Sequence, residues 1–326
     1  MSHARTRLVA AAMVAAVTVT ATACGSSSNG SGSSSSTGGS ASASATSAAT
    51  SSAPSTSSAA ALQGDIAFND VKLGEPRDKL KSALAGKSLA GVNPSVVVNV
   101  TAAYWDAAKQ GVANANKELG IDAKFQEPTQ EDITQQLSIL NTLLSQSSTG
   151  FSVSAIQPSS LSSFISKAES QKVPVIAIDS PLDTFKSVPL YLGTPNYDAG
   201  QKAGEAMKQL LPDGGDVAIL VGSLTALNAT QRIQGFKDAV KGSGVKVFQV
   251  YNDGGDANKA LQNASAAFQA DGNLKGLYGV YSYDGPSAGQ AVQSAGKVQV
   301  VADDSEPKTL DFLKSGVIQA MVLQQP

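Results

Sequence analysis

The chain has 326 residues, a formal net charge of −2, and one residue each of Cys, His and Trp. The only His is His3, in a segment that we expect to be cleaved, so a histidine-dependent nucleophile and a His- or Cys-ligated zinc site both lack their side chains. One Cys cannot close an internal disulfide, and an acidic chain with four Arg is poorly suited to nucleic acid, because phosphate binding needs clustered cations.

Residues 1–23 have the layout of a secretory signal peptide. Arg5 and Arg7 make a basic start, and the largely apolar stretch of 13 residues that follows is shorter than the roughly 20 residues that span a bilayer. Small residues then precede Cys24, as in a bacterial lipobox, although an alanine stands where leucine is usual. We expect Cys24 to be lipidated and to hold the protein at the outer face of the cell membrane. The alternative is ordinary cleavage after Ala23.

Residues 24–60 are predicted to form a disordered tether. The 36 residues after Cys24 contain 17 Ser, no charge and no aromatic side chain, so they cannot bury enough apolar surface to offset the entropy of ordering. A Gly/Ser-type coil of this length reaches about 35 Å. Residues 61–93 make an N-terminal extension to which we assign no function, although residues 76–84 have the spacing of an amphipathic helix.

From Pro94 onward, β-branched apolar runs alternate with amphipathic stretches. The predicted strands are residues 96–100, 121–125, 151–156, 173–178, 190–192, 217–221, 245–251, 276–281, 298–302 and 319–323. The predicted helices are residues 104–119, 130–144, 160–171, 197–211, 225–240, 256–268, 285–294 and 307–313. Continuous apolar strands between such helices indicate parallel sheets that are covered on both faces. We therefore predict an α/β fold of two doubly wound parallel-sheet lobes, residues 94–194 and 195–326.

Polar and aromatic side chains follow the carboxyl ends of these strands, which is where ligands bind in doubly wound folds. They include Tyr104, Trp105, Asp179, Arg232, Tyr283, Asp284, Asp303, Asp304 and Gln324. Carboxylates and a guanidinium give charge-assisted hydrogen bonds of about 1.5–3 kcal/mol each, and aromatic faces pack on apolar C–H patches. The combination predicts a sugar or a related polyol as the ligand. A single Asp at such a place is also typical of a helix cap, so the prediction depends on the whole set.

Five stretches of the chain resemble the ribose-type sugar-binding proteins of ABC importers, which have the type I periplasmic-binding-protein fold. They are YWDAAKQG at 104–111, VPVIAID at 173–179, GTPNYDAG at 193–200, RIQGF at 232–236 and DD at 303–304. The likeness extends from about Val96 to Pro326, and it is specific because five motifs occur in the right order. It implies two lobes that close on a sugar, with no cofactor, no metal and no enzymatic activity.

In the first lobe, the resemblance implies that Tyr104 and Trp105 sandwich the pyranose ring and that Asp179 binds sugar hydroxyls. Two features depart from the family pattern: alanines at 102–103 replace the usual Asn-Pro before the aromatic pair, and Ser180 stands where ribose binders have Arg. Fewer polar contacts and more room favour a different or larger sugar than ribose.

In the second lobe, the resemblance implies that Arg232 reaches the ring oxygen or the anomeric hydroxyl and that Asp304 is the second carboxylate. Tyr283 takes a position that is Asn in ribose binders, and Gln324 corresponds to the hinge amide. Glycines at 254–255 fall where ribose binders have an aromatic residue. Because the family continues after the hinge with a helix and a strand that return to the first lobe, we expect an incomplete first lobe and a chain that is part of a longer protein.

The leading hypothesis is a lipid-anchored receptor that captures a monosaccharide or related polyol and delivers it to an ABC permease with a cytoplasmic ATPase. The sequence has no G-x-x-x-x-G-K-[ST] motif for binding nucleotide phosphates, so we expect the ATPase partner to bind the nucleotide. One alternative is a receptor for chemotaxis or for a sensor kinase. Another is an extracytoplasmic glycosidase that uses carboxylates such as Asp303 and Asp304, although adjacent residues rarely face one bond correctly. A related-fold transcription repressor is excluded by the export signal and by the missing helix-turn-helix.

Overall fold

A computed structural model describes residues 74–296 and 298–324 of the chain. The predicted signal peptide, Cys24, the tether at 24–60 and the first part of the N-terminal extension, residues 61–73, lie outside the described residues. Within the described ranges, no helix combines the length and the apolar character needed to cross a membrane.

The first lobe is built on a five-stranded parallel sheet in the order β2-β1-β3-β4-β5. Its strands are β1 (Ser95–Val97), β2 (Lys124–Gln126), β3 (Phe151–Val153), β4 (Val175–Ile178) and β5 (Tyr191–Leu192). The helices that precede and connect them are α1 (Gly74–Leu84), α2 (Asp106–Leu119), α3 (Ile133–Ser145) and α4 (Ser162–Ser170), with 3₁₀ turns at Ala103–Trp105 and Pro158–Leu161. Asp132 caps α3 by accepting from two backbone N–H groups, and Gly120 ends α2 in the left-handed conformation.

The second lobe repeats this plan with a parallel sheet in the order β10-β9-β8-β6-β7. Its strands are β6 (Gly215–Val221), β7 (Val245–Asn252), β8 (Leu274–Gly279), β9 (Gln299–Asp303) and β10 (Ala320–Val322). Its helices are α5 (Asn196–Leu210), α6 (Leu227–Val240), α7 (Ala257–Ala270), α8 (Asp284–Ala295) and α9 (Pro307–Lys314). The predicted architecture of two doubly wound parallel-sheet lobes is thus confirmed.

Each sheet has a point at which the strand order reverses. The chain moves from β1 to β2 on one side and returns to β3 on the other, and it does the same from β6 to β7 and back to β8. The crevice outside the carboxyl ends of the strands at such a reversal is the usual ligand site of a doubly wound sheet. The fold therefore places the segments that follow β1, β3, β6 and β8 around any site between the lobes.

Several predicted strands have different bounds in the structure, and side chains explain two of these differences. The strand predicted at 121–125 begins only at Lys124, because the Asn116 amide donates to the Ala123 carbonyl and accepts from its N–H. The strand predicted at 276–281 is shifted to Leu274–Gly279. Beyond it, the Tyr281 N–H donates to Asp284 Oδ2 at 2.8 Å instead of to a neighbouring strand.

Helices α5 and α6 pack closely because a glycine of each helix faces the backbone of the other helix. A Cβ at Gly200 would overlap the carbonyl of Arg232, and a Cβ at Gly235 would overlap the carbonyl of Tyr197. This close approach positions α6, which carries Arg232, against the start of α5.

We expect Gly235→Ala to destabilise the protein by about 1–3 kcal/mol or more, because the new methyl group overpacks the α5–α6 contact. The matched control is Gly111→Ala on the exposed face of α2, where a Cβ would meet nothing within 4 Å. This control should stabilise the chain by about 0.5–1 kcal/mol through helix propensity. Urea unfolding measures both changes, and equal effects of the two substitutions would contradict the packing described above.

Candidate functional site

A cavity with about 320 Å³ of empty space, including the part open to solvent, lies between the lobes at the carboxyl ends of the strands. It is lined by Asn99, Val100, Ala102, Tyr104, Trp105, Asp179, Asn228, Arg232, Tyr281, Ser282, Tyr283, Asp304 and Gln324. The seven predicted ligand-binding residues, Tyr104, Trp105, Asp179, Arg232, Tyr283, Asp304 and Gln324, are all among them.

The two aromatic side chains of the first lobe stand on the 3₁₀ turn that opens α2. The ring centroids of Tyr104 and Trp105 are 4.8 Å apart and the rings are nearly perpendicular, at 80°. Burial and the neighbouring carboxylates, Asp179 first, raise the pKa of Tyr104 above its ordinary value, so its hydroxyl stays neutral. Trp105 is the only Trp of the chain and is buried.

Asp179 follows β4 in the left-handed conformation, with φ of 55°. Its Oδ2 accepts from Ser154 Oγ at 2.7 Å and from Asn228 Nδ2 at 2.9 Å, and the second of these bonds crosses from the second lobe. Burial raises the pKa of Asp179, while the Arg232 charge and the two hydrogen bonds oppose that shift. The other oxygen, Oδ1, accepts from no described residue and is left for a ligand.

Arg232 is almost completely buried and is held by four hydrogen bonds. Its Nε donates to Asn196 Oδ1 at 2.9 Å, its Nη1 donates to the Val280 carbonyl at 3.0 Å and to Asp303 Oδ2 at 3.1 Å, and its Nη2 donates to Gln324 Oε1. Burial alone would lower the pKa of Arg232, but the Asp303, Asp304 and Asp179 charges raise it instead. A guanidinium has five N–H groups, so within the described part of the chain one Nη2–H remains unused.

The adjacent carboxylates of Asp303 and Asp304 have different roles in the structure. Asp303 is fully buried behind the cavity wall, where it accepts from Arg232 and from the Tyr278 hydroxyl at 3.2 Å. Asp304 has φ of 67° and faces the cavity; its Oδ1 accepts from Gln324 Nε2 at 2.8 Å. Burial raises the pKa of Asp304 to about 6, so it is largely ionised at neutral pH.

Two tyrosines that follow β8 have hydroxyls that already donate to protein side chains. The Tyr281 hydroxyl donates to Asn228 Oδ1 at 3.1 Å, and the Tyr283 hydroxyl donates to Asp253 Oδ1 at 3.1 Å. Their ring centroids are 6.1 Å apart at 80°. Tyr283 therefore offers its ring to the cavity, whereas Asp284 is buried outside the cavity lining.

Gly254 and Gly255 lie where the lobes meet, and the space beside the two glycines differs. The Gly254 carbonyl accepts from the Glu131 N–H of the first lobe at 3.3 Å. A Cβ at Gly254 would meet nothing within 4 Å, whereas a Cβ at Gly255 would lie 2.9 Å from Val100 Cγ2 and 3.1 Å from Glu131 Cγ. At Gly255 the absence of a side chain lets the first lobe come close.

Sequence reasoning missed several lining residues, and two of them had a usable signal. Asn228 lies four residues before Arg232 on α6, a spacing that places both on one helix face. Asn99 follows β1 at the reversal of the first sheet, the position where doubly wound folds bind ligands. Ser282 and Ala102 carried no comparable signal.

The charged groups that line the cavity are two carboxylates, Asp179 and Asp304, and one guanidinium, Arg232. Asp179 Oδ1 and Asp304 Oδ2 have no donor among the described residues, whereas Arg232 is already paired with Asp303. Such a surface suits a neutral molecule with several hydroxyl donors and disfavours an acidic one. The part of the chain that the structure describes contains no group of three or more His, Cys, Asp or Glu side chains that could hold a metal ion.

Comparison with known proteins gives a consistent assignment. A family model described as a periplasmic binding protein domain matches residues 95–326. The D-allose-binding periplasmic protein of Escherichia coli K12 is 26% identical over 235 residues, which cover 68% of this chain and 76% of that relative.

Solved structures agree with this family match. An ABC transporter solute-binding protein from Burkholderia graminis, crystallised with D-arabinose, is 30% identical with a TM-score of 0.68, covering 72% of this chain and 84% of that one. A glucose-galactose binding protein from Geobacillus stearothermophilus is 27% identical with a TM-score of 0.67, covering 71% and 84%.

We expect Arg232→Ala to lower the free energy of unfolding by about 3–5 kcal/mol, because it leaves the Asp303 carboxylate buried without its charged partner. The control is Lys202→Ala, which breaks the more exposed pair with Glu205 and should change stability by less than about 1 kcal/mol. Chemical denaturation of the two variants measures the difference. Arg232→Ala with wild-type stability would show that the guanidinium is not structural.

Proposed function

The chain belongs to the family of periplasmic binding proteins, and from this premise we propose that it captures a neutral monosaccharide between its two lobes for delivery to an ABC permease. The matched family consists of substrate-binding proteins. The single observation that supports the proposal most strongly is the shared cavity: aromatic, carboxylate and guanidinium side chains from both lobes line one space of about 320 Å³.

The chemistry of the free atoms supports a sugar as the ligand. Asp179 Oδ1 and Asp304 Oδ2 can each accept from a hydroxyl, and the remaining Arg232 N–H can donate to a ring oxygen or hydroxyl. The faces of Trp105, Tyr104 and Tyr283 can cover the C–H patches of a pyranose. The relatives named above are described as D-allose-binding, glucose-galactose-binding and bound to D-arabinose, which supports the same ligand class.

The contacts between the lobes support a mechanism of closure around the ligand. Thr225 Oγ1 donates to the Ile156 carbonyl at 3.0 Å, and Asn228 Nδ2 donates to Asp179 Oδ2 across the cleft. A sugar that contacts both lobes has a higher affinity for the closed form than for the open form, so it shifts the population toward closure. The closed form would then dock on the permease, and an ATPase on the cytoplasmic side would drive transfer.

The location of the protein is the second part of the proposal. The sequence pattern at residues 1–24 supports export followed by lipidation of Cys24, and the Ser-rich tether would hold the binding lobes off the membrane. Membrane contact through this lipid alone would leave the cleft free to sample solute and to reach the permease.

Sugar binding should change the fluorescence of Trp105, because the only indole of the chain lines the cavity. Titration with D-allose, D-ribose, D-arabinose, D-xylose, D-glucose and D-galactose should give a saturable change for at least one sugar. Trp105→Ala should abolish binding of that sugar in calorimetry. If the full chain shows neither a fluorescence change nor a heat of binding with any sugar of a broad monosaccharide panel, the proposed function is contradicted.

Asp304→Asn should weaken binding of the same sugar by about tenfold to a hundredfold, since a charge-assisted hydrogen bond becomes an ordinary one. The matched control is Asp311→Asn on α9, which removes one carboxylate charge from an exposed side chain and should leave affinity unchanged. Calorimetry at pH 7.5 compares the variants. Equal affinities of wild type and Asp304→Asn would remove Asp304 from the ligand site.

Cys24→Ser should release the protein from the membrane fraction of expressing cells and abolish metabolic incorporation of labelled palmitate. Sugar affinity of the released protein should equal that of the wild type, since Cys24 precedes the tether. A Cys24→Ser chain that still carries palmitate would contradict lipidation at this residue.

A further inference from the structure

We propose that Asn99 is a further ligand-binding residue of the first lobe, and that Glu131 is the positioning residue that orients it and takes up a proton when the lobes close. This inference rests on the proposed function, because it concerns the affinity of the same cavity. In the sequence Asn99 stands in an apolar run and Glu131 precedes a helix, and no pattern there pairs the two.

Asn99 follows β1, lines the cavity and is 5% exposed. Its Nδ2 donates to Glu131 Oε1 at 2.9 Å, which determines which end of the amide faces Glu131. The amide oxygen, Oδ1, is buried and has no hydrogen-bond partner among the described residues. Because buried polar atoms are rarely left unpaired, a hydroxyl of a ligand in the cavity is the expected donor to this oxygen.

Glu131 is half-buried and packs against the second lobe. Its N–H donates to the Gly254 carbonyl at 3.3 Å, and its Cγ lies against Gly255. Its Oε1 accepts from Asn99, whereas Oε2 is buried and unpartnered within the described ranges. Opening of the cleft would remove Gly254 and Gly255 from this carboxylate and return it to water.

The groups that face Glu131 carry no positive charge among the described residues. They are the Asn99 amide and the Asp179 carboxyl of the first lobe, and the Ser223 hydroxyl, the Asp253 and Asp284 carboxyls and the Tyr281 and Tyr283 hydroxyls of the second. Two further buried oxygens here, Asp253 Oδ2 and Asp284 Oδ1, also lack a described partner. The cluster therefore holds more acceptors than donors, and added protons would correct that imbalance.

Burial, with the Asp253 and Asp179 charges, raises the pKa of Glu131 from 4.5 to about 8, against the hydrogen bond from Asn99 and the nearby Ser223 hydroxyl. In an open, solvated cleft the pKa returns to its ordinary value. A group whose pKa is higher in the closed form than in the open form stabilises the closed form when it is protonated. This stabilisation is complete below the open-form pKa and is lost as the pH rises through the closed-form pKa. Sugar affinity should accordingly fall between about pH 5 and pH 8.

The test compares the full-length wild type with Glu131→Gln, which keeps an acceptor for Asn99 but cannot ionise. The two affinities for the sugar identified in the panel should be similar at pH 5, and Glu131→Gln should bind at least about tenfold more tightly at pH 8. Asp304 also titrates in this window, but it is present in both proteins and cancels in their ratio. Glu205→Gln, which neutralises a more exposed carboxylate on α5, should show no pH-dependent ratio to the wild type.

A direct measurement of the proton complements these affinities. When saturating sugar is added at pH 7, calorimetry in buffers of different ionisation enthalpy should show a proton uptake by the wild type that Glu131→Gln lacks, and equal proton uptake by the two proteins would overturn this role of Glu131. The role of Asn99 is tested by Asn99→Ala, which should weaken sugar binding by about three- to tenfold with an unchanged unfolding transition. Wild-type affinity in Asn99→Ala would overturn its contact with the ligand.

These outcomes separate the inference from the proposed function. A wild-type protein that binds no sugar in the panel contradicts the proposed function, and the roles of Asn99 and Glu131 with it. If the wild type binds sugar and the ratio of its affinity to that of Glu131→Gln is constant from pH 5 to pH 8, the proposed function stands. The role of Glu131 is then overturned.

Discussion

The buried guanidinium of Arg232 is the interaction on which the rest of the site depends. It joins the start of α5 through Asn196, the end of β9 through Asp303, and the last described segment through Gln324. Removing a charge from water costs several kcal/mol unless hydrogen bonds and an opposite charge offset it, and here four bonds and Asp303 do so. The side chain that faces a ligand is thereby also the one that fixes the geometry of the second lobe.

The two lobes can approach each other this closely only because no side chain fills the space between them at Gly255. Gly255 has φ of 83° and meets Val100 and Glu131 of the first lobe closely, so any larger side chain would keep the cleft open. The same approach removes water from Glu131 and Asp253, whose carboxyls then lie in a region of surplus acceptors. In the proposed mechanism, closure, ligand selection and protonation are linked through one part of the interface, because each depends on how completely water leaves it.

The proposed neutral ligand agrees with how the carboxylates are already occupied. Asp303 is neutralised by Arg232, while Asp179 and Asp304 each keep one oxygen without a described donor. An anionic sugar would meet these two carboxylates beside a guanidinium that Asp303 already pairs, whereas hydroxyl groups can donate to them at little electrostatic cost. The aromatic faces around the cavity do not change this balance, since they discriminate by shape and C–H contact.

The sequence by itself determined the two-lobe α/β architecture, because apolar runs and amphipathic helices alternate with a period that local chemistry sets. It also identified seven residues that come to line one cavity, because residues that follow parallel strands lie at the carboxyl edge of the sheet for any loop conformation. Only the tertiary structure decided that Asp303 turns inward and Asp304 outward, that Gly254 and Gly255 admit the first lobe, and that Asn99 meets Glu131. Those outcomes depend on contacts between residues far apart in the chain, which no local pattern records.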